Sequence, residues 1–349
     1  MMSLRQIQGH TLLLLQGTPF EMGYRHGSLL KDLIHQNIAL YGTASHTEID
    51  QERKHLFLQS IPSLLSYTPP CYIEEMEGIA KGSNLPLTEI IYLNLFPELF
   101  HCCGITVSQE ATIDGTLYHA RGLDYAAGKG LSSSAVLILA KPEGKLPFLN
   151  ASYAGFIGSV TGMNQQKISL GEIGGKGYGS YQGTPMPFLL RTILEEASCL
   201  QEIQQILLKA HRTCEYYYLF GDGKTEESFG CYANKHVLTL LEPGKPYTIY
   251  PLDTKEPLTF PSQTKTLSII GSSHLERYQV LQERLEHAFG QIDEHRLMNI
   301  LKRPVSKDSN LHSAIFHPSS LTLWLAHAGP LGEPACDQPY ARFCLQDFL

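Results

Sequence analysis

The amino-acid sequence predicts an α+β fold in which helices pack on antiparallel sheets. Three observations predict this class. Apolar residues recur at helical spacing through roughly the first hundred residues, and short β-type runs begin near residue 102. Helices and strands then follow one another in blocks, without the regular alternation that is typical of a parallel sheet.

The N-terminal segment is predicted to be mainly helical. A first helix begins near Pro19, a residue suited to a first helical turn, and continues through "FEMGYRHGSLLKDLIHQNIALY". A second stretch, "QERKHLFLQSIPSLLSY", is interrupted by Pro62. A third, "PCYIEEMEGIAKGSNLPLTEIIYLNLF", reads as two helices separated by a Gly-Ser-Asn turn. We therefore expect residues 1–101 to form a helical segment that packs on a core of residues 102–349.

The core is predicted to open with six short strands, at 105–107, 116–119, 135–140, 148–152, 157–161 and 168–171. Two helices follow, "PFLLRTILEEA" and "SCLQEIQQILLKAH", the second beginning with the capping-box pair Ser198 and Gln201. More strands, a helix beginning near Ser273, and two strands at 312–318 and 321–328 complete the chain. This order permits helices on both outer sides of paired sheets.

Composition excludes several functional classes. With 349 residues, 43% hydrophobic and 17% charged, the chain has the composition of a folded protein. A net charge of -7 offers no basic surface for a nucleic acid. The longest apolar run near the N-terminus, 11–15, is too short for a membrane span or a signal-peptide core, so we expect a cytoplasmic protein.

The eight cysteines do not form any C-x-x-C pair, which argues against a disulfide scaffold and against a zinc ribbon. His101, Cys102 and Cys103 are consecutive, and three consecutive strand positions cannot all converge on one ion. We therefore expect reduced thiols and no metal site.

Cys102 stands where the helical segment meets the β-rich core. A thiol is a useful nucleophile only as the thiolate, so it needs a local base. Cleavage of the chain before the cysteine would supply its own α-amino group, whose pKa of ~7.7 to 8.0 suits proton transfer at cellular pH. A junction between two segments is a suitable place for such a cut.

The segment "CCGITVSQEATIDGTLYHARGLDY" resembles the nucleophile region of the acyl-coenzyme A:6-aminopenicillanic acid acyltransferase family (peptidase C45-like), part of the N-terminal nucleophile (Ntn) hydrolase superfamily. Upstream, "GTPFEMGYRHGSLL" and "EEMEGIAKGSNLPLTEIIYLN" are similar to the family's glycine-bearing helices. Downstream, "GSVTGMNQQKISLGEIGG", "GTPMPFLLRTILEEA" and "YYYLFGDGK" follow its usual order of motifs. The resemblance implies a four-layer αββα sandwich with two antiparallel sheets.

Carried over position by position, the resemblance makes Cys102 the nucleophile, with Cys103 as the alternative. Arg121 and Asp124 match the family's arginine and aspartate, which support the thiol and hold the new α-amino group. Tyr217 stands where many relatives have an asparagine that donates to the oxyanion, and its hydroxyl is a substitute donor.

Other positions complete the predicted site. Tyr153 and Glu172 are candidate substrate-binding residues, although Glu172 is equally well interpreted as a turn carboxylate. Three further positions depart from the family pattern: Cys103 stands where Thr or Ser is common, Gly122 replaces an asparagine, and His101, the residue before the expected cleavage, replaces a glycine.

The implied mechanism is an acyl-enzyme reaction on a linear amide or thioester, with water or an amine as acceptor and without a cofactor. Self-cleavage between His101 and Cys102 would mature the chain. An uncleaved thiol acyltransferase and a catalytically silent protein that binds an acylated ligand are the alternatives. The sequence leaves the oligomeric state and the acyl group open.

Overall fold

The computed structural model of the chain describes residues 3–44, 51–95, 102–125, 130–176, 179–249, 258–260, 266–270 and 275–349. Two large sheets stack face to face, with β3 and β4 of one sheet against β8 and β9 of the other. Helices α1, α6 and α7 lie against the larger sheet, and α8 and α9 lie against the smaller one. The predicted αββα arrangement is confirmed, because each sheet buries one face on its partner and the other under helices.

The described helices have these bounds: α1 Pro19–Leu29, α2 Lys31–Tyr41, α3 Gln51–Ser66, α4 Pro70–Ser83, α5 Leu87–Leu95, α6 Met186–Glu196, α7 Leu200–Lys209, α8 Leu275–Ala288 and α9 Glu294–Ile300. The described strands are β1 Ser3–Ile7, β2 His10–Gly17, β3 Cys103–Gln109, β4 Gly115–Asp124, β5 Ala135–Pro142, β6 Phe148–Tyr153, β7 Thr161–Asn164, β8 Ile168–Lys176, β9 Glu215–Asp222, β10 Glu227–Asn234, β11 Leu238–Leu241, β12 Tyr247–Ile249, β13 Leu258–Phe260, β14 Thr266–Ile270, β15 Asn310–His317, β16 Thr322–His327 and β17 Ala341–Cys344. None of the described helices is long and apolar enough to span a membrane.

The smaller sheet has six strands in the order β14-β3-β4-β15-β16-β17, and all of its pairs are antiparallel. The larger sheet has nine strands in the order β1-β2-β5-β6-β7-β8-β9-β10-β11. Its pair β2 and β5 is parallel, so the prediction of two antiparallel sheets is wrong for this sheet, which is mixed. The predicted strand at 157–161 is also wrong, since β7 begins only at Thr161.

The N-terminal segment is not only helical. Its first strands, β1 and β2, extend the larger sheet of the core, so the prediction of a helical segment applies only from α1 onward. Three leucines of β2, namely Leu12, Leu13 and Leu15, are at most 2% exposed. A strand buried on both faces lacks the alternation that reveals a strand in a sequence. The segment is therefore part of the core as well as a cover for it.

Helices α1 and α4 approach each other at backbone distance. A Cβ placed on Gly23 would lie 1.9 Å from the Glu75 carbonyl oxygen, and one on Gly78 would lie 2.4 Å from that of Phe20. Any side chain at these positions would force the helices apart. The glycines of the two N-terminal motifs are thus explained by the packing of this helix pair.

A buried charge cluster joins the N-terminal segment to the rest of the core. The Arg191 guanidinium on α6 lies 2.6 Å from the Glu75 carboxylate on α4 and 2.8 Å from that of Glu195. Tyr72 donates a hydrogen bond of 2.9 Å to Glu195, and its ring lies under the guanidinium. Burial raises the pKa of the Glu75 carboxyl, although the nearby Arg191 opposes that shift. Charges buried at this depth are tolerated because they are paired.

Candidate active site

Cys102 lies immediately before β3, with its side chain completely buried. Strand β3 pairs with β4, so that Cys103 is opposite Gly122 and Gly104 is opposite Arg121. A Cβ added to Gly104 would lie 2.2 Å from the Ile173 side chain of the larger sheet. A side chain at this position of the hairpin would therefore point into the space between the two sheets. Arg121 therefore extends into the space between the sheets, where the Cys102 thiol also lies.

Arg121 is the centre of the site. Its Nη2 donates to the Cys102 sulfur at 3.2 Å and to Glu172 Oε2 at 3.1 Å, and its Nε donates to the Glu172 carbonyl oxygen at 2.6 Å. Its Nη1 donates to the Thr161 hydroxyl and lies 3.1 Å from Nε2 of His312. A guanidinium has five N–H groups, and each of them has an acceptor here. The planar cation is thus fixed in one orientation against the thiol.

Glu172 enters the site from a bulge in β8, where the register shifts between Glu172 and Gly174. Its Oε1 accepts a hydrogen bond from the Gly174 N–H, and its Oε2 accepts from the Cys102 thiol at 3.8 Å. Bulges commonly re-aim a side chain. Of the two interpretations of Glu172, the structure supports a pocket carboxylate beside the thiol.

The thiol is protonated in this environment. Burial raises the pKa of Cys102 well above its ordinary value, and the positive charge of Arg121 only partly opposes this shift. The negative charges of Glu172 and Asp124 raise the pKa further. Burial likewise raises the pKa of Glu172. A proton acceptor and a cation are therefore both in place before the thiol is ionised.

Cys103 faces the opposite side of the smaller sheet. Its sulfur lies 3.9 Å from the Ser306 hydroxyl, and a Cβ added to Gly122 would lie 2.9 Å from that sulfur and 2.8 Å from the hydroxyl. Cys103 and Gly122 are a cross-strand pair. The departures at Cys103 and Gly122 are thus complementary, because the Cys103 sulfur and the Ser306 hydroxyl fill the space that an asparagine at 122 would need.

Asp124 is held at the end of β4 on the face occupied by Cys103. Its Oδ2 accepts a hydrogen bond of 2.6 Å from Arg277 on α8. Its Oδ1 accepts from the backbone N–H of Lys307 and from Asn310, both at 3.1 Å. Burial raises the pKa of Asp124, and Arg277 opposes this. The Asp124 backbone also donates to the Cys102 thiol, so the residue contacts the nucleophile through its main chain.

The remaining predicted residues lie in different places. The Tyr153 hydroxyl lies 2.9 Å from Nδ1 of His312 and so joins the site through that ring. Tyr217 is buried in β9 with its ring 5.2 Å from that of Tyr232, and its role as an oxyanion donor stays a prediction. His101 lies outside the described residues.

Three residues of the site were not predicted from the sequence: Thr161, Arg277 and His312. Each reaches the site from a strand or helix far along the chain, so that no local motif marks it. Among the described residues, no group of three or more His, Cys, Asp or Glu side chains could hold a metal ion. The described site presents a thiol between a carboxylate and a guanidinium, which is an arrangement suited to nucleophilic catalysis.

Comparison with known proteins gives several relatives of modest identity. No protein-family model matches the chain. Over 88% of its length the chain is 24% identical to protein dcd1B of Dictyostelium discoideum, covering 66% of that protein, and over 92% it is 25% identical to protein dcd1A, covering 80%. Over 59% of its length it is 28% identical to human acid ceramidase, of which it covers 56%.

The chain thus spans little more than half the length of the ceramidases that it matches. Among solved structures, a Caenorhabditis elegans ortholog of N-acylethanolamine-hydrolyzing acid amidase has a TM-score of 0.48 and 16% identity, covering 62% of this chain and 93% of its own. In sequence, then, the chain is similar to acid ceramidases over somewhat more than half of its length.

Proposed function

We propose that the chain is a cysteine amidohydrolase that cleaves N-acylated amines and is matured by cleavage between His101 and Cys102. The observation that carries this proposal is the Cys102 thiol, held between the Arg121 guanidinium at 3.2 Å and the Glu172 carboxylate at 3.8 Å. The relatives named acid ceramidase support amide hydrolysis, since ceramide is an N-acylated amine.

In maturation, the Cys102 thiol gives its proton to Glu172 and its sulfur attacks the carbonyl carbon of His101. The bond between that carbon and the Cys102 nitrogen breaks as the nitrogen takes the proton from Glu172, which leaves a thioester and a free α-amino group. Water then hydrolyses the thioester to a new carboxylate at residue 101 and a free thiol. Arg121 stabilises the thiolate as it forms, because it is a fixed cation in a water-poor site.

In turnover, the α-amino group of Cys102 takes the thiol proton, and the sulfur attacks the substrate amide carbonyl. The amine leaves with that proton, and water hydrolyses the acyl-enzyme to a carboxylic acid. Asp124 is placed by Arg277 and Asn310 at the end of β4, and we assign it to holding the new ammonium group.

An apolar cavity beside the site suits an aliphatic acyl chain. Its lining residues include Tyr41, Leu123, Leu131, Tyr153 and Leu311. Leu123 and Leu311 adjoin site residues in β4 and β15, and Tyr153 contacts His312. The cavity volume is ≈ 40 Å³ in this uncleaved form, far below the roughly 300–1,000 Å³ of ligand pockets. We propose that an acyl chain enters after cleavage allows the cavity to widen.

The test begins with mass spectrometry of the purified protein. We expect two fragments that separate before Cys102, and an intact chain for the variant Cys102→Ala. A series of fluorogenic N-acyl amides, from acetyl to palmitoyl, then measures hydrolysis, and we expect the rate to rise with acyl length. An intact chain whose Cys102 is alkylated would support the uncleaved acyltransferase. An intact chain without alkylation or hydrolysis would support the silent binding protein and refute the proposal.

A further inference from the structure

One partner of the Arg121 guanidinium is the His312 ring, and the protonation state of that ring follows from its hydrogen-bond partners. His312 on β15 presents Nε2 to Arg121 Nη1 at 3.1 Å and to the Thr161 hydroxyl at 2.9 Å. Its Nδ1 lies 2.9 Å from the Tyr153 hydroxyl, and the two rings are stacked. His312 thus joins the guanidinium of the site to a wall of the acyl cavity.

The tautomer of His312 follows from these partners. A guanidinium has only donors, so Nε2 must accept and cannot carry a hydrogen. The ring is then neutral, with its hydrogen on Nδ1, and Nδ1 donates to the Tyr153 oxygen. A protonated ring would place an N–H against the N–H of Arg121 and two positive charges side by side.

The surrounding groups keep the ring neutral. Burial is the main influence that disfavours a positive charge on the ring, and Arg121 on β4 and His327 on β16 act in the same direction. Tyr153 on β6 and Thr161 on β7 supply uncharged hydroxyls. These influences hold the pKa of His312 well below its ordinary value.

We propose that His312 is a positioning residue, which fixes the Arg121 guanidinium so that Nη2 points at the Cys102 sulfur. Without the acceptor at Nε2, one N–H of a buried cation loses its partner, and the four remaining acceptors hold the plane of the guanidinium against the thiol less firmly. The thiolate is then less stabilised. This inference rests on the proposed function for its kinetic effect, but its effect on the thiol does not depend on substrate.

Three substitutions distinguish the effect of losing the hydrogen-bond acceptor at Nε2 from the effect of losing the volume of the ring. His312→Gln places an amide oxygen near the position of Nε2, His312→Asn places its amide near Nδ1 only, and His312→Leu removes both groups. His317→Gln, on the same strand but bonded to Thr116, is the matched control. The pH dependence of Cys102 alkylation by iodoacetamide in the purified protein gives the thiol pKa, and palmitoyl amide hydrolysis gives kcat and KM.

We expect the Leu and Asn variants to raise the thiol pKa by about one unit and to lower kcat roughly tenfold, with KM nearly unchanged. The Gln variant should stay within roughly threefold of the parent, and so should the control. Equal thiol pKa values in the parent and in the Leu and Asn variants would overturn the inference. A Gln variant as impaired as the Leu variant would also overturn it. If the parent hydrolyses no amide, the proposed function fails, and the alkylation series still decides the role of His312.

Discussion

Acid should destabilise the fold through His26, a completely buried residue of α1. Its Nε2 accepts a hydrogen bond of 2.9 Å from the Gly155 N–H, which fixes the ring as neutral, with its hydrogen on Nδ1. Nδ1 has no partner among the described residues. Burial, and secondarily the charge of Arg191, lower the pKa of His26 to about 3. Protonation would cost the Gly155 hydrogen bond and add a second buried cation.

The magnitude follows from linkage. Between pH of about 6.5 and about 3 the unfolded chain binds a proton at this position and the folded chain does not, so the free energy of unfolding falls as the pH falls. A pH of about 4.5 lies about two units below the pKa of histidine in the unfolded chain, so the free energy of unfolding is lower by about 2.7 kcal/mol there. Glu75, whose pKa is raised by burial, acts in the opposite direction, because the folded chain then holds its proton more readily.

The substitution His26→Gln separates the effect of His26 protonation on stability from the effect of carboxyl groups such as that of Glu75. Its amide oxygen retains an acceptor for the Gly155 N–H but does not titrate in this range. Urea unfolding of both proteins at pH of about 7 and about 4.5 should show that the parent loses about 2.7 kcal/mol more than the variant. The exposed His236→Gln is the control for loss of a histidine. Parallel losses in the parent and the His26 variant would refute the reasoning.

Three further predictions concern the site and its supports. Glu172→Gln should slow cleavage before Cys102 by roughly a hundredfold or more, because the thiol loses its proton acceptor; the ratio of intact to cleaved chain by mass spectrometry measures this, and an unchanged ratio would exclude Glu172 as the base. Gly122→Ala should cost about 1–3 kcal/mol in urea unfolding, since its methyl group meets the Cys103 sulfur. Adding Cys103→Ala should recover part of that cost, and strict additivity would contradict the packing argument. Arg191→Met should cost about 3–5 kcal/mol, because it leaves two buried carboxylates without their cation; a loss below about 1 kcal/mol would show that the cluster is not stabilising.

The fold was predictable where the sequence pattern is local. The apolar face after Ser198 predicted α7, and the short β-type runs after residue 102 predicted β3 to β6. The predicted capping box of Ser198 and Gln201 is wrong, because the N-cap is Cys199 and Ser198 bonds Glu202 instead. Strand β2 was missed because its leucines are buried on both faces and show no alternation. Its parallel pairing with β5, more than a hundred residues away, depends on tertiary packing that no local pattern records.

The part of the site that lies on the hairpin of β3 and β4 was predictable from the sequence. Cys102 immediately precedes β3, and Arg121 belongs to the adjacent strand β4, so their spacing reflects the register of that pair. Glu172 could not be assigned because a bulge in β8, rather than strand alternation, directs its side chain. His312 is 191 residues from Arg121, and in the sequence it is simply one histidine of a terminal strand.

The position of β2 between β1 and β5 has a consequence for the order of folding and the proposed cleavage. Residues 1–101 supply the edge strand β1 and the interior strand β2 of the larger sheet, so we expect them to stay in place after the proposed cleavage. Until the sheet has formed, the peptide link between the two parts keeps them at high effective concentration. Afterwards the interlocked strands and the Arg191 cluster hold the parts together without it. In the proposed maturation, the link that is cut would therefore be a folding tether, needed once and then dispensable.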